Sequence, residues 1–184
     1  MVHKKGFTLI ELIIVIALIA LLATTVILVI NPVKIFQEAR DSQRIADLGQ
    51  MNSAMSLMLA TSSVNPVLGP SSALCYVYKA TQLCAGRYPS VTLTATSTAS
   101  QVVTGSGWVR VDLGTSPAIS AWPIDPKNDT TNFYSFAYDS VNQWEFTAAM
   151  ESVRYGSSTN ADNVVATDGG NKTDLFEVGT NVNL

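Results

Sequence analysis

Histidine and cysteine are nearly missing from this chain of 184 residues, and each shortage removes a class of chemistry. The one histidine, His3, sits at the N-terminal end. Histidine is the commonest general base near neutral pH, so acid–base catalysis has little to work with. Cysteine occurs only at Cys75 and Cys84, and their neighbourhood offers too few further ligands for a metal centre. Charge is sparse as well: Asp, Glu, Lys and Arg make up 14% of the residues, and the formal net charge is −3. The basic residues are scattered, so the footprint expected of a nucleic-acid binder is absent. No glycine-rich phosphate loop and no internal repeat is visible. This lack of chemistry points to a structural role, not to an enzyme.

What the chain does have is a long apolar run, Phe7 to Ile30, broken by a single charge at Glu11. A helix needs about 20 apolar residues to cross a bilayer, and this run is long enough. A carboxylate inside such a segment is costly and marks a functional candidate. Lys4 and Lys5 precede the run and favour a cytoplasmic N-terminus, although Lys34, Arg40 and Arg44 follow it. A cleavable secretory signal fits less well. Its apolar core is shorter, about 7–15 residues, and ends in a small-x-small site that is not evident here. A lipoprotein signal is disfavoured because the first cysteine is Cys75.

The remaining chain suffices for one domain. Residue pattern divides the whole into a leader at 1–6, an apolar helix at 7–30 and an amphipathic helix at 31–60. A loop-rich region at 61–107 and a strand-rich region at 108–184 follow. Asn31-Pro32 predicts an interruption between the two helices, because proline lacks a donor and clashes with the preceding turn. If straight, the helical stretch would reach about 80 Å at about 1.5 Å per residue. Ile45, Leu48, Met51, Met55, Met58 and Leu59 recur at spacings of three and four and form one apolar stripe. Arg40, Asp41, Arg44 and Asp47 are expected on the other faces.

Within 61–107, Thr61 to Pro66 and Gly69 to Ser72 read as loop. A disulfide between Cys75 and Cys84 is expected in an oxidising compartment, with two buried thiols as the other reading. Ser90 to Ser106 carries no charge and holds either a short strand around Val91–Leu93 or a surface loop. Val109 to Leu113 alternates apolar and charged residues and predicts a half-buried strand. Trp122-Pro123-Ile124-Asp125-Pro126 predicts a rigid connector. Tyr134–Tyr138 and Trp144–Met150, joined by Asp139-Ser140-Val141-Asn142, predict an antiparallel hairpin with an aromatic inner face. The methionine and leucine stripe is its natural cover. Leu175 to Val178 predicts one more strand. The fold class that results is α+β: a long N-terminal helix packed on a small C-terminal antiparallel sheet.

Weaker constellations remain. Asp162, Asp168, Asp174 and Glu177 flank Gly169-Gly170-Asn171. Oxygen ligands on a glycine-rich turn can hold calcium, with Asp168, Asp174 and Glu177 as the candidate set, and an ordinary solvated turn is the alternative. Otherwise no cofactor is expected. Asn128-Asp129-Thr130 and Asn171-Lys172-Thr173 fit the glycosylation sequon, a short match that is common by chance. Trp108, Trp122 and Trp144 are expected as core and turn anchors, not as a ligand platform.

Lys5-Gly6-Phe7-Thr8-Leu9-Ile10-Glu11 resembles the processing site of type IV prepilins and of the related pseudopilins of secretion and competence systems. Ala39 to Leu48 resembles the stretch after the membrane span in that family. Pro123-Ile124-Asp125-Pro126, followed by the hairpin, is similar to a segment leading into its sheet. Pro32 departs from the pattern, lying a few residues later than the family's usual kink proline. The resemblance implies a pilin fold, cleavage between Gly6 and Phe7 by a membrane-embedded peptidase, and N-methylation of Phe7. It implies a single-pass precursor in the cytoplasmic membrane with its C-terminus outside, which then joins an extracellular or periplasmic filament. Its partners would be the peptidase and methylase, copies of itself, an assembly platform and minor pilins, with no direct nucleic-acid partner. Some pseudopilins carry calcium near the C-terminus. Surface pili, secretion pseudopili and DNA-uptake filaments share these features. The contrasting reading is a single-pass anchored binding module that never polymerises.

Physical reasons support the motif. Glycine before the scissile bond leaves the backbone open to a peptidase. Removing Lys4 and Lys5 takes the formal charge from −3 to −5 and frees an amine on Phe7. In a filament whose apolar helices bundle, an isolated Glu11 carboxylate would be heavily penalised, and an amine offsets much of that cost. The expected partner is the Phe7 amine of a neighbouring copy, in a pair that fixes register more than it adds stability.

Overall fold

Apolar periodicity in the first third of the chain becomes two helices in the computed structural model, which describes residues 6–62, 68–90, 92–156 and 160–184. Helix α1 spans Leu9–Ile30 and helix α2 spans Pro32–Thr61. Phe7 was expected to open the first helix, but Thr8 caps it and the helix begins at Leu9. The predicted interruption is present. Asn31 closes α1 in the left-handed region at φ 44° and ψ 79°, a conformation asparagine tolerates better than most residues. Pro32 then takes the first position of α2, where its missing N–H costs nothing.

Five strands follow: β1 Leu74–Val77, β2 Thr94–Ser97, β3 Tyr134–Tyr138, β4 Trp144–Ala149 and β5 Leu175–Gly179, with the short helix α3, Val153–Gly156, between β4 and β5. They form one sheet in the order β2-β1-β3-β4-β5. The architecture is α+β, with a long N-terminal helix and a mostly antiparallel sheet. The hairpin lies where the alternation put it, with Tyr134 opposite Ala148, Phe136 opposite Phe146 and Tyr138 opposite Trp144. Its turn is tied by Asp139 Oδ1, which accepts from the amides of Val141 and Gln143.

Three expectations are corrected. β1 and β2 pair in parallel, so the sheet is not wholly antiparallel. Parallel neighbours need a crossover, and residues 78–93, which include the cysteine loop, supply it. The strand sought around Val91–Leu93 is β2, a few residues later, and Val91 itself lies outside the described residues. Val109–Leu113 is not a strand. Its alternation is real, with Val109, Val111 and Leu113 buried, but it reaches only residues 103–105 through two backbone hydrogen bonds and an isolated bridge. Ser63 to Pro66 of the expected loop also lies outside the described residues.

The chain divides into two units, residues 1–36 and residues 37–184. In the second, Leu48, Met51, Ala54, Met55 and Met58 of α2 pack with Tyr76, Tyr134, Phe136, Tyr138, Trp144 and Phe146 of the sheet. The Phe136 and Phe146 rings meet at 4.9 Å between centroids, tilted by 33°. Trp108, Trp122 and Trp144 are all buried in this core. A smaller cluster on the opposite side holds Cys75, Val77, Cys84, Tyr88, Phe133, Ala137 and Leu184.

Candidate processing and assembly site

Gly6, Phe7 and Thr8 lie outside regular structure, immediately before α1. A helix start leaves its first amides without partners, and Thr8 with Glu11 meets that need as a capping box. The Thr8 amide and hydroxyl each donate to Glu11 Oε2 at 2.8 Å, and the Thr8 hydroxyl accepts from the Glu11 amide at 3.3 Å. The Gly6–Phe7 bond is therefore kept out of the helix. Phe7 itself is 88% exposed. Lys4 and Lys5 of the leader lie outside the described residues.

Behind this cap, Leu9–Ile27 has a mean hydropathy of 2.8 and none of it is buried. Its two threonines hide their hydroxyls in the helix: Thr24 donates to the Ala20 carbonyl and Thr25 to the Leu22 carbonyl. Beyond Glu11 the helix thus presents hydrocarbon, and it has the length to cross a membrane.

A second charged constellation lies where α2 meets the sheet. Asp41 and Arg44 were expected on outward faces, yet both are fully buried. Arg44 donates to Asp125 through Nε at 2.6 Å and Nη2 at 2.9 Å, to Asp41 through Nη1 at 2.7 Å and to Glu151 through Nη2 at 2.7 Å. Asp41 also accepts the amides of Glu151 and Ser152. Burial works against the Arg44 charge, but Asp125 first, then Glu151 and Asp41, outweigh it and hold its pKa above the ordinary arginine value. The hydrogen bonds from Arg40 outweigh burial at Glu151 and, with Arg44, hold its carboxylate down at about 2. Asp125 also accepts the amides of Lys127 and Asn128, so the Pro-x-Asp-Pro segment is fastened to α2 through one aspartate. Sequence reasoning marked Asp125 and Arg44 separately. A charge placed at the same helical spacing as Leu48 and Met51 was the signal that could have joined them.

The cysteines are bonded, Cys75 on β1 to Cys84 in the crossover. The other acidic candidates separate. Asp168 Oδ2 accepts the Glu177 amide, Oδ1 accepts the Gly170 amide, and Glu177 Oε2 accepts the Lys172 amide. Asp174 points outward and pairs with Lys172 at 3.6 Å, and Asp162 pairs with Arg154 at 2.9 Å. Among the described residues no group of three or more His, Cys, Asp and Glu is arranged to hold a metal ion. Instead Glu177 approaches Glu145 of β4, which the sequence reading did not single out. Burial first, then Glu177, pushes Glu145 up to about 9, and burial raises Glu177 as well. Of the two sequons, Asn128 is buried and its side chain accepts from Gln82 at 2.6 Å, while Asn171 is exposed.

The family described as the prokaryotic N-terminal methylation motif matches residues 1–27. Neither comparison with curated proteins nor comparison with solved structures finds a match. The matched segment is similar to the N-terminal region of type IV prepilins, leader included, and it holds Gly6, Phe7, Thr8 and Glu11. With the apolar helix it fits a membrane-anchored precursor of pilin type, and it implies processing by a prepilin peptidase.

Proposed function

We propose that this chain is a structural subunit that polymerises into a type IV pilus-like filament or pseudopilus after its leader is removed. The supporting observation is the junction itself: an open Gly6–Phe7 bond, a capped acidic residue at Glu11, and an unbroken apolar helix behind them. The peptidase would cut after Gly6 and methylate Phe7. The inserted precursor would keep its N-terminus cytoplasmic and residues 37–184 outside. On assembly, apolar helices from many copies would leave lipid and bury one another. The Phe7 amine of one copy would then meet Glu11 of another, an ion pair with partners on different subunits. Such a contact is heterologous, and a heterologous contact that does not close generates an open helical polymer. The role is structural, and no catalytic residue is assigned.

Mass analysis of the exported polypeptide is expected to give a chain beginning at methylated Phe7. Shearing of cells is expected to release polymer that electron microscopy resolves as filaments. Glu11→Ala should still insert and be cut but should lose filament yield by at least tenfold, given that unpaired buried charge is the penalty the pair removes. A start at Met1, or a processed chain found only as monomer, would instead support an anchored module that does not polymerise.

A further inference from the structure

We propose that Thr8 is a positioning residue for Glu11, holding Oε2 so that Oε1 is the oxygen presented to the Phe7 amine of a second copy. This rests on the filament-subunit reading. The Thr8 amide and the Thr8 hydroxyl both donate to Oε2, each at 2.8 Å. One carboxylate oxygen has two lone-pair directions, so two donors fill it. Both side-chain hydrogen bonds that the structure gives the Glu11 carboxylate run to Oε2, and the residue is exposed.

The three contacts between Thr8 and Glu11 restrict the rotamer of Glu11. A glutamate free on a helix surface samples many positions, and an arriving amine would have to order it. Here the cap has already fixed the carboxylate against the helix start, so less conformational freedom is lost on docking. Hydroxyl chemistry is needed at this position. The oxygen gives its proton to Oε2 while it accepts the Glu11 amide, which valine cannot do. An aspartate at this position would cap the helix but add a second negative charge beside the first. The incoming group also fits. A methylated α-amine keeps its positive charge and two N–H donors, so it can bond Oε1 without displacing Thr8.

The test compares Thr8→Val, Thr8→Ala, Thr8→Ser, Glu11→Gln and the double variant Thr8→Val/Glu11→Gln, each as the full chain in cells. Filament yield is read per subunit whose mass begins at Phe7, so a processing defect does not enter the comparison. Thr8→Val and Thr8→Ala are expected to lower that yield about tenfold, the size of one charge-assisted hydrogen bond, and Thr8→Ser to restore it. The double variant is expected to assemble no worse than Glu11→Gln alone, because Thr8 acts only through the carboxylate. If the unaltered chain forms filaments and the valine and alanine variants match its yield, the positioning role is overturned while the filament reading stands. Additive losses in the double variant overturn it as well. If the unaltered chain makes no filaments at all, the filament reading itself has failed, and this role fails with it.

Discussion

Arg44 shows how much one side chain can decide. Its guanidinium is fully buried and touches three carboxylates, those of Asp41, Asp125 and Glu151. Arg44→Ala would leave the buried Asp41 and Asp125 without their cation, while Glu151 kept Arg40. Breaking a buried pair from one side typically costs about 3–5 kcal/mol, so a large fall in the unfolding midpoint is expected by urea titration of the detergent-solubilised chain. A midpoint within error of the parent would mean the cluster contributes nothing. Glu145 makes the opposite case. Its Oε1 and that of Glu177 are buried without a partner donor, while Glu145 Oε2 accepts the Leu184 amide at 3.0 Å. The Glu145 pKa is raised to about 9, so its contribution is fully present below the unfolded carboxyl range and is lost as pH rises towards 9. Glu151, held at about 2, contributes above the unfolded range and loses its contribution as pH falls towards 2. Glu145→Gln carries no charge to bury. At pH 8 it should exceed the parent in stability by on the order of 1–3 kcal/mol, and its thermal midpoint should vary less between pH 5 and pH 9. An unchanged pH profile in that variant would show that the pair is not where the titration lies.

The elements differ in how far the sequence announced them. Helix α1 and the β3–β4 hairpin were legible because local pattern and tertiary burial agree there: a continuous apolar run, and aromatics at every second residue. The buried face of α2 was only partly legible. Periodicity found Leu48, Met51, Met55 and Met58, but Asp41 and Arg44 continue the same face, and their charges disguised it. Helical spacing with Leu48 and Met51 marks the position of Arg44 as buried, but nothing local names its distant partners, Asp125 and Glu151, more than eighty residues away. Val109–Leu113 failed for another reason. Alternation reports which side chains are buried, not whether a neighbouring strand is there to complete a ladder. The capping box at Thr8 was readable in hindsight from Thr-x-x-Glu, a signature overshadowed by the processing motif.

The crossover between β1 and β2 was the least legible element, and its disulfide explains why it holds. Residues 84–88 lie against the second face of the sheet, where Arg87 sits over the Phe133 ring and donates to Thr147 and to the Phe133 and Thr131 carbonyls. Burial lowers the Arg87 pKa to about 10. Tyr88 meets Ser135, which in turn meets Thr147, so a buried hydroxyl chain runs beside the smaller hydrophobic cluster on this face. The Cys75–Cys84 bond closes a short loop, and loop entropy values such a link at about 2–3 kcal/mol. Cys75→Ser with Cys84→Ser should therefore unfold at lower urea by that amount, with protease cuts concentrated at residues 78–93. Reduction of the parent should reproduce the effect. A variant as stable as the parent would assign the closure of this face to its hydrogen bonds alone.

At the scale of the molecule, the two units answer to different surroundings. Residues 37–184 contain both hydrophobic clusters, the Arg44 network, the disulfide and the whole sheet. Among the described residues of the first unit none belongs to these, and the Leu9–Ile27 span is exposed. The second unit therefore carries its own core, while the first exposes a long apolar span. Removing residues 1–36 should yield a water-soluble monomer that keeps the disulfide and the sheet. Its thermal midpoint is expected within about 2 °C of the same transition in the detergent-solubilised full chain, a shift no larger than that of about 1 kcal/mol in a domain of this size. The deleted chain should also fail to form filaments at any concentration, because the exposed apolar helix and both residues of the proposed Phe7–Glu11 contact have been removed. A truncated protein that is molten by near-ultraviolet circular dichroism would show that the N-terminal unit contributes to the core, and one that still polymerises would move the assembly surface onto the sheet.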